Sequence, residues 1–184
     1  MKTLLLGFGN PILSDDAVGV RLAKDFKANN ACRPGLDIVE ECSVGGMNLL
    51  DVCRGYQRAI VLDAIQTDAS RPGTWHYFTA DALRETAHLT NIHDVNFATA
   101  LELGRRLGLA LPEPHEIHIV GVEIQDDQTF SEQMTPLLEQ AYPGFRSTIF
   151  DKIREIMQGG LVRRRHREEA VTQSSTEPFC NGPN

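Results

Sequence analysis

The chain has 184 residues, 41% of them hydrophobic and 23% charged, and 25 acidic against 18 basic side chains give a net charge of −7. That length holds one domain with a real core and not two comfortable ones. The acidic balance excludes nucleic acid and anionic membrane as the main partner, because both select a positive surface.

The start, Met1 to Leu6, is apolar but breaks at Gly7 and Gly9. It is too short for a signal peptide and lacks a cleavage site, so it reads as a first strand and a cytoplasmic location is expected. No uninterrupted apolar run nears the ~20 residues that cross a bilayer. Leu4 to Phe8 is a buried strand ended by glycine. Ser14 or Asp15 can cap a helix that carries Val18, Leu22 and Phe26 in one stripe. Leu36 to Glu40 reads as a second strand and Met47 to Val52 as a short helix. Ala59 to Leu62 is a continuous apolar strand that ends on Asp63. Trp75 to Phe78 follows the turn residues Pro72 and Gly73 as another strand.

A polar stretch from Thr86 to His93 precedes a helix with Phe97, Ala100, Leu101, Gly104, Leu107 and Gly108 on one face. Ile117 to Val122 is the last buried strand. Thr135 and Pro136 form an N-cap followed by proline at the first helical position. That helix is expected to reach about Met157, with a break near Pro143 and Gly144. From 158 to 184 the chain holds a basic cluster, Arg163 to Arg167, and a Ser/Thr/Pro/Asn-rich end without hydrophobic periodicity. This is expected to be a disordered tail after a domain of residues 1–157.

Alternating strands and helices define an α/β fold, a three-layer sandwich whose mainly parallel sheet has helices on both faces. Sites in such sheets form at the carboxyl ends of the strands. Gly7-Phe8-Gly9-Asn10-Pro11 sits where a phosphate loop would sit, but position 12 is Ile and no Gly-Lys-Ser/Thr follows. Asp15 and Asp16 at the helix start repel an anion and attract a cation.

Three residues converge on that edge. Asp16 stands in the first helical turn, where the ordinary role of an acid is to complement the helix dipole. Asp63 closes an apolar strand, where a carboxylate needs backbone donors or a metal. His93 precedes Asp94, a cap for the helix that starts near Val95; a positive helix end disfavours imidazolium, and neutral imidazole is the ligand form. Two oxygens and one nitrogen suit a borderline divalent ion such as nickel or zinc and leave positions open. Nucleophile alternatives are poor: no Gly-x-Ser-x-Gly elbow occurs, and nothing near Cys42 and Ser43 lowers a thiol pKa. Cys32, Cys42, Cys53 and Cys180 are scattered and expected to be free thiols.

The stretch Leu6 to Gly19, Leu-Gly-Phe-Gly-Asn-Pro-Ile-Leu-Ser-Asp-Asp-Ala-Val-Gly, resembles the opening of hydrogenase maturation proteases, including the acid at position 16. Ile60 to Ala64 followed by Pro72-Gly73-Thr74 is similar to their central strand and its turn. Ile92-His93-Asp94-Val95-Asn96 resembles their histidine loop, and Ile119 to Glu123 their last strand. The resemblance implies a five-stranded sheet and a nickel-recognition triad of Asp16, Asp63 and His93. It implies a substrate, the nickel-loaded large-subunit precursor of a nickel-iron hydrogenase, whose short C-terminal extension is cut after His or Arg. The metal then belongs to the substrate, and no stably bound cofactor is expected in the free protein. An incomplete ligand set makes nickel loading a checkpoint. The ion either polarises the scissile carbonyl or activates water, or it only positions the peptide.

One stretch departs from the pattern. Where the family has Asp-Gly-Gly-Thr after the second strand, this chain has Glu41-Cys42-Ser43-Val44-Gly45-Gly46. Gly7 to Pro11 also resembles the start of bacterial peptidyl-tRNA hydrolase, but Ala17 to Phe26 holds no histidine for that chemistry. A non-enzymatic nickel chaperone is a further alternative, although the six histidines are dispersed rather than clustered. Small size and a negative surface favour a monomer.

Overall fold

The computed structural model describes residues 1–30, 33–42, 48–67, 71–83 and 100–174, with side chains to residue 159. Its strands are β1 (Thr3–Phe8), β2 (Leu36–Cys42), β3 (Arg58–Ile65), β4 (Trp75–Thr79) and β5 (Ile117–Glu123). Its helices are α1 (Val18–Asn30), α2 (Asn48–Cys53), α3 (Ala80–Leu83), α4 (helical residues 100–106) and α5 (Pro136–Ser174), with a 3-10 turn at Ser14–Ala17. The sheet order is β2-β1-β3-β5-β4, parallel except for β4, which pairs antiparallel with β5. The expected mainly parallel five-stranded sheet is therefore present.

β1, β3 and β5 are buried along their whole length because helices cover both faces. One face is a single apolar cluster: Leu4, Leu6 and Phe8 with Val61, Ile117 and Ile119, packed against Leu49, Leu50 and Cys53 of α2 and Ala100 and Leu101 of α4. On the other face α1 packs over β1, β2 and β3. Its buried stripe of Val18, Leu22 and Phe26 is the one the 3.6-residue spacing predicts. Phe26 meets Phe150 of α5 edge to face, ring centroids 5.0 Å apart. Each such buried side chain contributes about 1.5–3 kcal/mol.

α1 sits low on the sheet because Gly19 has no side chain. A Cβ there would stand 2.4 Å from the carbonyl oxygens of both Phe8 and Leu62. Gly19→Ala is expected to cost about 3 kcal/mol, at the upper end for overpacking, because both obstructing atoms belong to backbone. Urea unfolding measures it, and a loss under about 1 kcal/mol would contradict the tight fit.

Two expectations about the last helix are corrected. α5 runs unbroken through Pro143 and Gly144. Proline removes one backbone donor and costs ~3 kcal/mol, but Leu138, Tyr142, Phe145 and Ile149 are buried on both sides of it at helical spacing and hold the helix together. The helix also continues past its expected end near Met157, to Ser174. Arg, Glu and Ala, which dominate residues 163–170, are strong helix formers, so charge alone does not predict a coil. Residues 175–184 of the expected tail lie outside the described residues. The sheet belongs to the compact unit Met1–Phe150, and a second unit begins at Asp151 within α5. No described helix is long and apolar enough to cross a membrane.

Candidate active site

From β1 the chain moves to one side of the sheet to form β2 and to the other to form β3. Between β1 and β3, at their carboxyl ends, the topology opens the crevice where open α/β sheets bind ligands. Asp16 follows β1 and Asp63 lies near the end of β3, the two strands that flank the crevice.

Asp16 sits in the 3-10 turn, which packs on β3. It is half-buried, and its Oδ2 accepts the backbone N–H of Asn10 at 2.6 Å. The loop curls onto it through Gly9, whose φ of +122° and lack of a side chain are both needed: a Cβ there would lie 1.9 Å from the Asp16 carbonyl oxygen. Gly7 and Gly9 thus serve close backbone packing, which accounts for a glycine pair without a phosphate.

Asp63 is only 8% exposed, and its Oδ1 accepts the N–H of Ala64 at 2.9 Å. It pairs in register with Gly121 of β5. Alternation along β3 puts it on the same face as Val61, the face covered by α2 and α4. His93, seven positions before α4, lies outside the described residues together with the whole stretch 84–99. Residues 43–47, most of the stretch that departs from the family pattern, lie outside them too. Among the described residues no group of three His, Cys, Asp or Glu side chains could hold a metal ion.

Asp15 was read from sequence as a cap for its own helix, and that is corrected. It is fully buried and reaches across the molecule. Its Oδ2 accepts the N–H groups of Gln125 at 3.1 Å and Asp126 at 3.3 Å and the Thr135 hydroxyl at 3.0 Å; its Oδ1 accepts the Thr135 N–H at 2.6 Å. One carboxyl group therefore ties the turn that carries Asp16 to the loop after β5 and to the start of α5. Ser14, the other candidate cap, adopts φ +46° and makes no capping bond.

Glu123 was missed by the sequence reading as a polar element of this edge. It is 1% exposed and closes β5 as Asp63 nearly closes β3. Thr67 donates to it from both its backbone N–H (3.0 Å) and its hydroxyl (2.7 Å), and His76 Nε2 lies 3.0 Å from its Oε1. The signal was available: an acid that ends a mostly apolar strand, close to the pattern that singled out Asp63. Here the carboxyl anchors the start of the β3–β4 connection.

Cys53 is free and buried, as expected, and Cys42 is buried; Cys32 and Cys180 lie outside the described residues. Burial, with a smaller contribution from Cys42, pushes the Cys53 thiol up to about 12. Cys53 is therefore no nucleophile at neutral pH. Native protein treated with iodoacetamide is expected to leave Cys53 unlabelled until it is unfolded, as peptide mass mapping would show.

The strand order and the helices on both faces define the chain as an α/β protein with a mostly parallel five-stranded sheet. The comparisons narrow it. Residues 20–152 match the model of the hydrogenase maturation protease family. The hydrogenase 2 maturation protease of Escherichia coli K12 is 27% identical over 158 residues, 80% of this chain and 93% of that protein. Among solved structures, the hydrogenase maturating endopeptidase HybD from Escherichia coli superposes with a TM-score of 0.66 at 24% identity, covering 84% of this chain and 93% of that one. A [NiFe] hydrogenase maturation protease HybD from Thermococcus kodakarensis gives a TM-score of 0.60 at 21% identity, covering 83% and 99%. The chain belongs to the hydrogenase maturation protease family and is a peptide-bond hydrolase. Family membership decides against the peptidyl-tRNA hydrolase and chaperone readings.

Proposed function

We propose that the protein removes the C-terminal extension of a [NiFe] hydrogenase large-subunit precursor that already carries nickel. In this reading Asp16 and Asp63 offer carboxylate oxygens, and His93 offers an imidazole nitrogen, to an ion that arrives with the substrate. The topology supports the reading: Asp16 lies in the turn after β1 and Asp63 near the end of the adjacent β3, the two strands that flank the switch point. Asp63 also faces the α4 side of the sheet, and His93 stands just before α4 in sequence.

Two carboxylates and one imidazole are too few to hold a borderline divalent ion firmly. Substrate groups that complete its coordination make binding conditional on nickel loading. A bound divalent ion can withdraw charge from a scissile carbonyl or lower the pKa of a water. The chain's own part is to fix the acids: Asn10 N–H holds Asp16, Ala64 N–H holds Asp63, and Asp15 fixes the turn between them and α5. The protein acts as a cytoplasmic monomer in this reading, with no nucleic-acid or membrane partner.

The test mixes purified protein with large-subunit precursor, with and without nickel, and follows intact mass. A loss from the precursor's C-terminus only in the nickel-loaded sample is expected. Equal cutting of both samples would remove nickel from the reading, and no cutting of either would remove this substrate.

A further inference from the structure

Most large apolar side chains of the described domain are buried, but Phe130 is 81% exposed and Ile12 is 47% exposed. They lie far apart in sequence, on the loops that leave the carboxyl ends of β1 and β5. The structure joins those loops. Leu13 and Ser131 form a parallel bridge: Ser131 N–H donates to the Ile12 carbonyl at 3.0 Å, and Ser14 N–H donates to the Ser131 carbonyl at 2.8 Å. Ile12 and Phe130 each immediately precede a bridged residue, so the two paired segments carry them at matching positions.

The pair is held stiffly. Asp126 Oδ1 accepts the N–H groups of Gln128 at 2.9 Å and Thr129 at 3.0 Å. Ser131 Oγ donates to the Gln133 carbonyl at 2.8 Å and accepts the Gln133 N–H at 2.9 Å. Ser14, next to the bridge, is held at φ +46°, a conformation that costs a non-glycine residue free energy and persists only where its surroundings enforce it. A rigid, exposed aromatic loses little conformational freedom on binding, which is the character of a docking anchor.

The pair is also continuous with the candidate active site. Asp16 N–H donates to the Leu13 carbonyl at 3.0 Å, Asn10 N–H donates to Asp16 Oδ2 at 2.6 Å, and Ile12 N–H donates to Asn10 Oδ1 at 3.2 Å. Residues 10–13 therefore adjoin Asp16 directly. The loop that carries Phe130 is acidic, with Asp126, Asp127 and Glu132 and no basic residue between Glu123 and Pro136. A second copy of this chain would bring the same acidic loop against itself, so a different partner fits better.

We propose that Ile12 and Phe130 form an apolar ledge that docks the substrate polypeptide, through an apolar segment flanked by basic side chains beside the bond to be cut. This rests on the precursor-cleavage reading above and adds the surface that recognises the polypeptide apart from its metal. The ledge contributes to affinity and not to bond breaking.

The experiment compares full-length protein with the I12S/F130S double variant and with F130L. It measures cleavage kinetics on nickel-loaded precursor, the Kd for that precursor, and the oligomeric state by light scattering. Because both side chains are exposed, the thermal midpoint should stay within about 2 °C. The double variant is expected to raise KM and Kd at least ~10-fold with kcat within about twofold, and F130L is expected to restore most of the affinity. Unchanged KM and Kd in the double variant, with normal wild-type cleavage, would overturn the ledge and leave the cleavage reading intact. Ledge-dependent binding without any cleavage would support the ledge and overturn the cleavage reading. A wild-type dimer that the double variant turns into monomer would assign the ledge to self-association and overturn the proposal.

Discussion

Asp15→Ala is expected to lower the stability of the domain by about 3 kcal/mol, a ~10 °C drop in thermal midpoint for a chain of this size. Asp15 is fully buried, and its two oxygens take three backbone N–H groups and one hydroxyl. Removing the carboxyl leaves those donors in a dry pocket, where each unmet donor costs about 1–3 kcal/mol before relaxation. Asp15→Asn should do little better, because its amide NH2 would face N–H donors rather than accept from them. The change should appear in thermal unfolding followed by circular dichroism. It should also loosen the turn that carries Asp16, so cleavage near the midpoint should fall faster than the folded fraction. A shift of less than about 2 °C in both variants would show that the pocket repacks or takes up water, and Asp15 would lose its place as the tie between loops.

Asp63→Ala and Asp16→Ala are each expected to slow precursor cleavage at least ~100-fold, about 3 kcal/mol of transition-state stabilisation, with fold retained. Asp63 accepts a local N–H from Ala64 and Asp16 one from Asn10, so truncating either removes a bond of about 1 kcal/mol from the fold. Asp63→Asn separates charge from packing: it keeps the volume and loses the anionic oxygen, and it should be about as slow as alanine. Single-turnover cleavage of nickel-loaded precursor, beside a melting curve for each variant, distinguishes lost chemistry from lost fold. Near wild-type rates for Asp63→Asn would rule out a charged ligand at this position. The same series at His93, whose alanine variant should match them, tests the third member of the proposed set.

The sheet was legible because its strands are short apolar runs between turn residues, and α1 because Val18, Leu22 and Phe26 keep strict helical spacing. Asp63 was legible because a carboxyl at the end of an apolar strand is costly without a role. The same argument applies to Glu123, yet it was absorbed into the last strand. Asp15 and Asp16 show what a sequence cannot separate. They are adjacent and chemically identical, yet in the 3-10 turn Asp15 is fully buried as a tie between loops while Asp16 is only half-buried. α5 misled because proline, glycine and a run of charges are local signals. The apolar stripe on both sides of Pro143 outweighs the first two, and good helix propensity outweighs the third.

The backbone at Gly9 and Gly19 touches backbone, with no side chain in between. The distance between the ends of β1 and β3 is then set by main-chain atoms alone. Substitutions elsewhere on α1 or α5 can then shift the melting behaviour without altering those main-chain contacts. Substitution should therefore be cheap on the exposed helix faces and costly at a few glycines that carry no chemistry. In the proposed reading, one frame can in this way serve precursors that differ widely in surface.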